Sequence, residues 1–303
     1  MWHEILVWGG FIIFILAMLS LDLFVFQRKA HEIGIRESLL LTAFWIALAL
    51  LFNLGVYFVH GPRMGLEFLA GYLIEKSLSM DNIFVFLIIF SYFCVPAIMQ
   101  AKVLFWGILG AIILRAIFVA AGLVLIHQFH WIIYLFGLFL IWTGIKMVTD
   151  KDKKIELEKN PVLRILRRWI PVTDNYEGAH FFVKRNGKLL ATPLFLVLVV
   201  VETTDLIFAV DSIPAIFAVT LDPFIVYSSN IFAILGLRAL YFALAGMMVR
   251  FSYLNYGLSA ILVFVGIKML FSEIYHMPIG IALGFIALSI TVSILFSIRK
   301  PKS

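Results

Sequence analysis

Stretches of about twenty apolar residues recur from one end of this 303-residue chain to the other, and a helix of that length spans a hydrocarbon core of roughly 30 Å. Nine such helices are expected, near 5–26, 38–59, 65–93, 103–126, 131–148, 192–218, 224–248, 254–271 and 279–298. The expected fold class is therefore an all-α polytopic membrane protein. Composition agrees: 63% of residues are hydrophobic and 14% charged, where soluble domains are nearer half and a quarter. The first run follows no basic region and precedes no small-residue cleavage site, so it reads as a retained span. One cysteine, Cys94, provides neither an intrachain disulfide nor a cysteine-cluster metal site. The net charge of +6 is not gathered into a basic domain, so no nucleic-acid partner is expected.

The basic residues are distributed by topology. With the N-terminus outside, the inner connections hold Arg28, Lys29, Arg36, Lys102, ten Lys/Arg between 149 and 191, Arg250, Arg299, Lys300 and Lys302. The outer ones hold Arg63 alone. The positive-inside rule then gives N-out, C-in. The large 149–191 connection opens with the charged run "DKDKKIELEK". "PVLRILRRWIPV" follows, with Val162, Ile165, Leu166 and Trp169 on one face as in an interfacial helix. "HFFVKRNGKLLA" carries Asn-Gly between apolar flanks, a hairpin signal. This loop reads as a structural connector, with regulation or partner binding as the alternative.

An internal repeat organises the rest. "GILGAIILRA" at 107–116 matches "NIFAILGLRA" at 230–239, and "GIKM" occurs at 144–147 and 266–269. "SMDNIF" at 79–84 meets "AVDSIP" at 209–214, which pairs Asp81 with Asp211 and Glu75 with Asp205. Each unit holds three spans, an odd number, so the copies insert in opposite orientations. Inverted repeats of this kind are common in secondary transporters, with the substrate site at the midplane, although duplication also occurs in channels and scaffolds. The expected organisation is an N-terminal two-helix segment (1–63), a first repeat (64–148), the loop (149–191), a second repeat (192–272), and a last helix with a basic tail (273–303).

Six carboxylates fall in these spans: Asp22, Glu75, Asp81, Glu202, Asp205 and Asp211. Each charge at bilayer depth costs about 2.5–3.5 kcal/mol on insertion scales, so they must be protonated, paired, hydrated or bound to cations. Internal pairing is one reading, with Lys76, Arg115 and Arg238 as charge partners. Those three leave about half of the acids without a basic partner, which favours a cation pathway. Glu202, Asp205 and Ser212 share one helical face, and Glu75, Ser79 and Asn82 make the matching face in the first repeat. Asp81 and Asp211 fall about 120° away on a regular helix. They serve a separate face, or the helix breaks. Pro214 favours a break, because it deprives the Val210 carbonyl of its donor and frees it as a further ligand. Carboxylate, amide, hydroxyl and carbonyl oxygens suit Mg²⁺, Ca²⁺ or Mn²⁺ better than Zn²⁺ or Cu⁺. Chemistry alone does not choose among these three.

"GYLIEKSLSMDNIFVF", "SYFCVPAIMQ", "GAIILRA", "VVVETTDLIFAVDSIPAIFAVT", "NIFAILGLRALYFALAG" and "VGIKML" resemble the TerC family of bacterial inner-membrane proteins, in its Alx-type branch. The resemblance runs from "SLDLFVF" to the last span and includes the hairpin. It implies a link to tellurite resistance and similarity to manganese exporters, some tied to pH response and to supplying metal to secreted proteins. Carried over by position, it implies a metal site of Glu75, Asp81, Asn82, Glu202, Asp205 and Asp211, with Ser212 beside them. Asp22 and the Val210 carbonyl are further candidates for ligation or coupling. It also supplies Mn²⁺ as the transported ion.

The leading expectation is a secondary transporter that exports Mn²⁺, in exchange for protons carried by the same carboxylates. An alternative is a membrane assembly factor that docks translocation machinery or secreted proteins and delivers metal to them. A tellurium-resistance protein without bulk metal flux fits less well, because an oxyanion would meet surplus negative charge. No enzyme is expected, since neither HExxH nor GxSxG occurs in the sequence.

Overall fold

The computed structural model describes residues 2–24, 34–129, 131–149, 170–185, 187–245, 254–271, 274 and 277–299. Helices α1 (Trp2–Phe24), α2 (Ile35–His60), α3 (Pro62–Tyr92), α4 (Ala97–Gln128) and α5 (Ile132–Thr149) precede a hairpin of β1 (Phe182–Arg185) and β2 (Lys188–Ala191). Then come α6 (Pro193–Phe217), α7 (Pro223–Leu235), α8 (Leu237–Ala245), α9 (Leu254–Leu270) and α10 (Ile279–Arg299). Because α7 and α8 together form one apolar span, Pro223–Ala245, these elements answer to the nine expected helices. Among the described residues, α2, α4, α5, α6, the α7–α8 pair and α10 are each long and apolar enough to cross a membrane. The protein is all-α and multi-pass.

Local sequence sets several starts. Pro62, Pro193 and Pro223 open α3, α6 and α7, where the missing N–H leaves no intrahelical bond unmade. Asp222 caps α7 by accepting from the Ile225 N–H at 2.9 Å. The hairpin forms where Asn-Gly stands, with Arg185 opposite Lys188 and Gly187 at φ +75°, a conformation that favours glycine. Tyr176 donates to the Phe93 carbonyl at 2.7 Å, and Lys102 donates to the Ala179 carbonyl at 2.5 Å. The described part of the 149–191 connection is thereby moored to the α3–α4 turn. The expected interfacial helix on Val162, Ile165, Leu166 and Trp169, and the charged run before it, lie outside the described residues.

The packing follows the sequence repeat. α3 lies against α7, α6 lies against α4, and α5 lies against α9. Exchanging first, second and third helices between the two copies turns each of these pairings into another of the set or into itself. Direction agrees as well. A Cβ on Gly137 would meet the Gly266 carbonyl at 2.9 Å, and one on Gly144 would meet the Ser259 carbonyl at 2.9 Å. Contacts that ascend α5 thus descend α9, so equivalent helices run antiparallel, as an inverted repeat requires. Gly137 corresponds to Ser259, and Gly144 to Gly266, at the offset of 122 between the two "GIKM" copies. Small residues let the two backbones touch, and Ser259 Oγ donates to the Gly144 carbonyl at 2.5 Å.

Two breaks differ from expectation. α6 continues through Pro214 to Phe217, so no discontinuity forms there. Pro214 lies so near the helix end that only the Val210 carbonyl loses its donor and no later turn is displaced. The interruption falls instead at Gly236, between α7 and α8. There Lys76 Nζ donates to the Ala233 carbonyl at 3.2 Å, the group that a continuous helix would have bonded to Leu237.

The α5–α9 contact gives a direct test. A Cβ on Gly266 would stand 2.6 Å from the Gly137 carbonyl oxygen, which is backbone and cannot step aside. Gly266→Ala should cost about 1–3 kcal/mol and lower the melting temperature in detergent. Gly280→Ala, where nothing lies within 4 Å, should leave it unchanged or raise it slightly.

Candidate functional site

Arg115 on α4 is the hub of the interior, with its side chain 1% exposed. Its Nη1 donates to Glu75 Oε1 on α3 in an ion pair and to Asn230 Oδ1 on α7 at 3.0 Å. Its Nε and Nη2 reach Asp205 Oδ2 and Oδ1 on α6, each at 3.4 Å, and Nη1 reaches Ser212 Oγ at 3.4 Å. Asn82 Nδ2 donates to Asp205 Oδ1 at 3.1 Å, tying α3 to α6. Asn230 Nδ2 donates to Glu75 Oε2 at 3.3 Å, and Ser79 Oγ to Glu75 Oε1 at 3.5 Å. Glu75, Ser79, Asn82, Asp205, Ser212 and Asn230 are all buried. A planar guanidinium with five N–H donors is suited to bridging two carboxylates in this way.

Glu75 and Asp205 are repeat equivalents, and so are Asn82 and Ser212. The two acidic faces read from spacing therefore meet at one point where the inverted copies cross. Breaking a buried ion pair costs about 3–5 kcal/mol, since it leaves a charge uncompensated. With both acids ionised, two carboxylates and one guanidinium leave a net charge of −1. Two buried oxygens near this point have no donor among the described residues, Asn82 Oδ1 and Glu202 Oε2. Glu202 lies on the α4 side of α6, where a Cβ on Gly110 would fall 2.0 Å from its Oε1. Gly110 is therefore what admits the carboxylate. Beside Asp205 a small cavity of about 10 Å³ is lined by residues that include Gly107, Val201 and Arg238.

Asp211 lies elsewhere. It faces α5, accepts from Thr143 Oγ1 at 3.3 Å, and lines a lateral groove of about 470 Å³ with Val210, Trp142 and Lys146. Lys146 Nζ sits 4.3 Å from the centre of the Trp142 ring. With α6 unbroken, the offset from Asp205 by six residues becomes a real separation of faces, and the Val210 carbonyl stays with Asp211. The side chains of Asp22 and Asp81 lie outside the described residues. Among those described, no group of three or more His, Cys, Asp or Glu is placed to hold a metal ion. The charge partners also divide their work: Arg115 serves two carboxylates at once, and Lys76 serves a backbone carbonyl.

Two polar residues escaped the sequence reading. Asn230 is fully buried at the start of the repeated "NIFAILGLRA", where the first copy has Gly107, so alignment of the copies hid it. A polar side chain among residues 225–235, otherwise apolar but for two serines, was the available signal. Glu67 on α3 is also buried and accepts from Arg63 at 2.9 Å.

The family described as "Integral membrane protein TerC family" matches residues 60–303. An "Uncharacterized membrane protein STKORF319" from Myxococcus xanthus is 54% identical over 295 residues, covering 97% of this chain and 92% of its own. The protein named "Putative membrane-bound redox modulator Alx" is 50% identical in Salmonella typhi, over 96% of this chain and 94% of its own. Its counterpart in Escherichia coli (strain K12) is 51% identical, over 93% and 90%. No solved structure matches this chain.

The hub makes the two acids interdependent. Glu75→Gln and Asp205→Asn should each be tolerated, because one carboxylate still faces Arg115. The double variant leaves a buried guanidinium without an anion and should lose about 3–5 kcal/mol. Melting curves of the four proteins in detergent should therefore depart strongly from additivity.

Proposed function

The chain belongs to the TerC family of integral membrane proteins, and from that premise we propose that it is a secondary transporter that exports a divalent cation, Mn²⁺ foremost, from the cytoplasm. The observation that carries this reading is the meeting of Glu75 and Asp205 at the crossing of two inverted repeats, where transporters of this architecture hold their substrate. The donors gathered there are hard oxygens: carboxylates, the Asn82 and Asn230 amides and the Ser212 hydroxyl. Hard divalent cations prefer such donors. Asn82 Oδ1 and Glu202 Oε2 are buried acceptors that a cation would satisfy.

Export needs a return step, and protons on the carboxylates provide it. Asp211 suits a separate station on this route, since it borders the lateral groove with Thr143 and Lys146. The relatives' name speaks of redox, whereas Cys94 is the one thiol in these 303 residues. A dithiol exchange within this sequence has no second partner.

Purified protein in liposomes, with a pH dye inside, is the test. Mn²⁺ flux should occur without partner proteins and move protons the opposite way, ahead of Mg²⁺, Ca²⁺ and Zn²⁺. Asp205→Asn should reduce that flux by about tenfold or more, and Asp211→Asn should abolish it while the protein remains in the membrane. Absence of flux for every cation tried would refute the transporter, and normal flux in the Asp205 variant would refute the site.

A further inference from the structure

The oxygens that would take the cation already hold one, the Arg115 guanidinium. It accounts for Glu75 Oε1, both Asp205 oxygens, Ser212 Oγ and Asn230 Oδ1. A divalent ion bound to the same two carboxylates would overlap the guanidinium, and its charge would repel it. We propose that Arg115 is a tethered counter-cation that competes with the transported metal: the guanidinium leaves Glu75 and Asp205 when metal enters, and returns to expel it. The inference rests on the transport reading above and adds the residue that sets affinity and release.

Three observations separate this from a permanent structural lock. The first is an uneven grip. Arg115 is close to Glu75 and Asn230, on α3 and α7, while its contacts to Asp205 and Ser212 on α6 are all at 3.4 Å. Charge-assisted N–H···O bonds usually lie near 2.7–2.9 Å. Movement of the second repeat's α6 would therefore part Asp205 from Arg115 before α3 and α7 let go. The second is a place for exchange to begin: the small cavity touches Asp205 and is lined also by Gly107, Val201, Leu237 and Arg238. The third is the pair of oxygens without a donor among the described residues, Asn82 Oδ1 and Glu202 Oε2, which Arg115 does not serve and a cation would.

The electrostatics give the exchange a purpose. Once metal leaves, two carboxylates would remain in the bilayer interior, each costing about 2.5–3.5 kcal/mol. The returning guanidinium neutralises one of these charges, so the unloaded site changes orientation with less exposed charge. A carrier without it would bind metal more tightly and release it poorly. Lysine would not replace it fully, being a point charge without the planar fork that spans both carboxylates.

The test uses the full-length protein in nanodiscs and liposomes, with Mn²⁺ as the probe, comparing wild type, Arg115→Gln and Arg115→Lys. Binding is read by electron paramagnetic resonance. Transport is read in two modes, net efflux into metal-free buffer and one-for-one exchange against Mn²⁺ outside. Arg115→Gln should lower the Mn²⁺ Kd by tenfold or more and cut net efflux by tenfold or more, yet keep exchange within a few-fold of wild type. Should that variant not fold, Arg115→Lys, which keeps the charge, should still lower the Kd several-fold. Loss of both modes together in a folded variant, or a Kd unchanged in both variants, would overturn the competition. If wild type neither binds nor moves Mn²⁺, the transport reading falls and this inference with it, whereas normal wild-type flux beside an unchanged variant Kd removes this inference alone.

Discussion

One buried ion-pair hub, Arg115 with Glu75 and Asp205, ties this fold together. Carboxylates do not persist inside a hydrocarbon layer unless something answers their charge. Here a single guanidinium answers two, one from each copy of the repeat. The three residues stand on α3, α4 and α6, and Asn230 brings in α7. Four helices are thus fixed relative to one another by groups that would be intolerable apart. The same helices also carry fully buried apolar residues, such as Phe68, Ile74, Ile83, Val200 and Phe232, so the interior offers these polar groups little but one another.

The inverted repeat explains why the hub sits where it does. A two-fold relation brings equivalent positions close only near its axis, so Glu75 and Asp205, and Asn82 and Ser212, converge there. The α5–α9 crossing on Gly137, Gly144, Ser259 and Gly266 is a second place where equivalent residues face one another. Symmetry fails in an informative way. α4 runs unbroken to Arg115, while the matching α7–α8 span is interrupted at Gly236, just before Arg238. One copy commits its arginine to the hub, and the other copy keeps a jointed helix.

The faces bearing Glu75, Ser79 and Asn82, and Glu202, Asp205 and Ser212, were legible from helical spacing, and the copies from their shared motifs. So was the hairpin, from Asn-Gly alone. Arg115's double engagement was not, because counting cations against carboxylates assumes one partner each, and only geometry reveals a fork shared by two. Pro214 favours a helix break on local grounds, because proline lacks a donor. A proline one turn from a helix end disturbs little, whereas Gly236 takes its effect from Trp45 and Lys76 packing against it, which no local pattern announces. For Asp211 the spacing leaves two readings, a separate face about 120° from Asp205 or a broken helix, and on the continuous α6 the separate face is the one realised, beside Thr143.

The central claim is that metal and guanidinium exchange at Glu75 and Asp205. The most direct measurement is a structure of the protein in Mn²⁺, with the metal located by its anomalous scattering. The account predicts an Mn²⁺ peak between the Glu75 and Asp205 carboxylates with the Arg115 side chain turned away from Asp205. An Mn²⁺ peak elsewhere, with Arg115 still bridging both carboxylates, would contradict it.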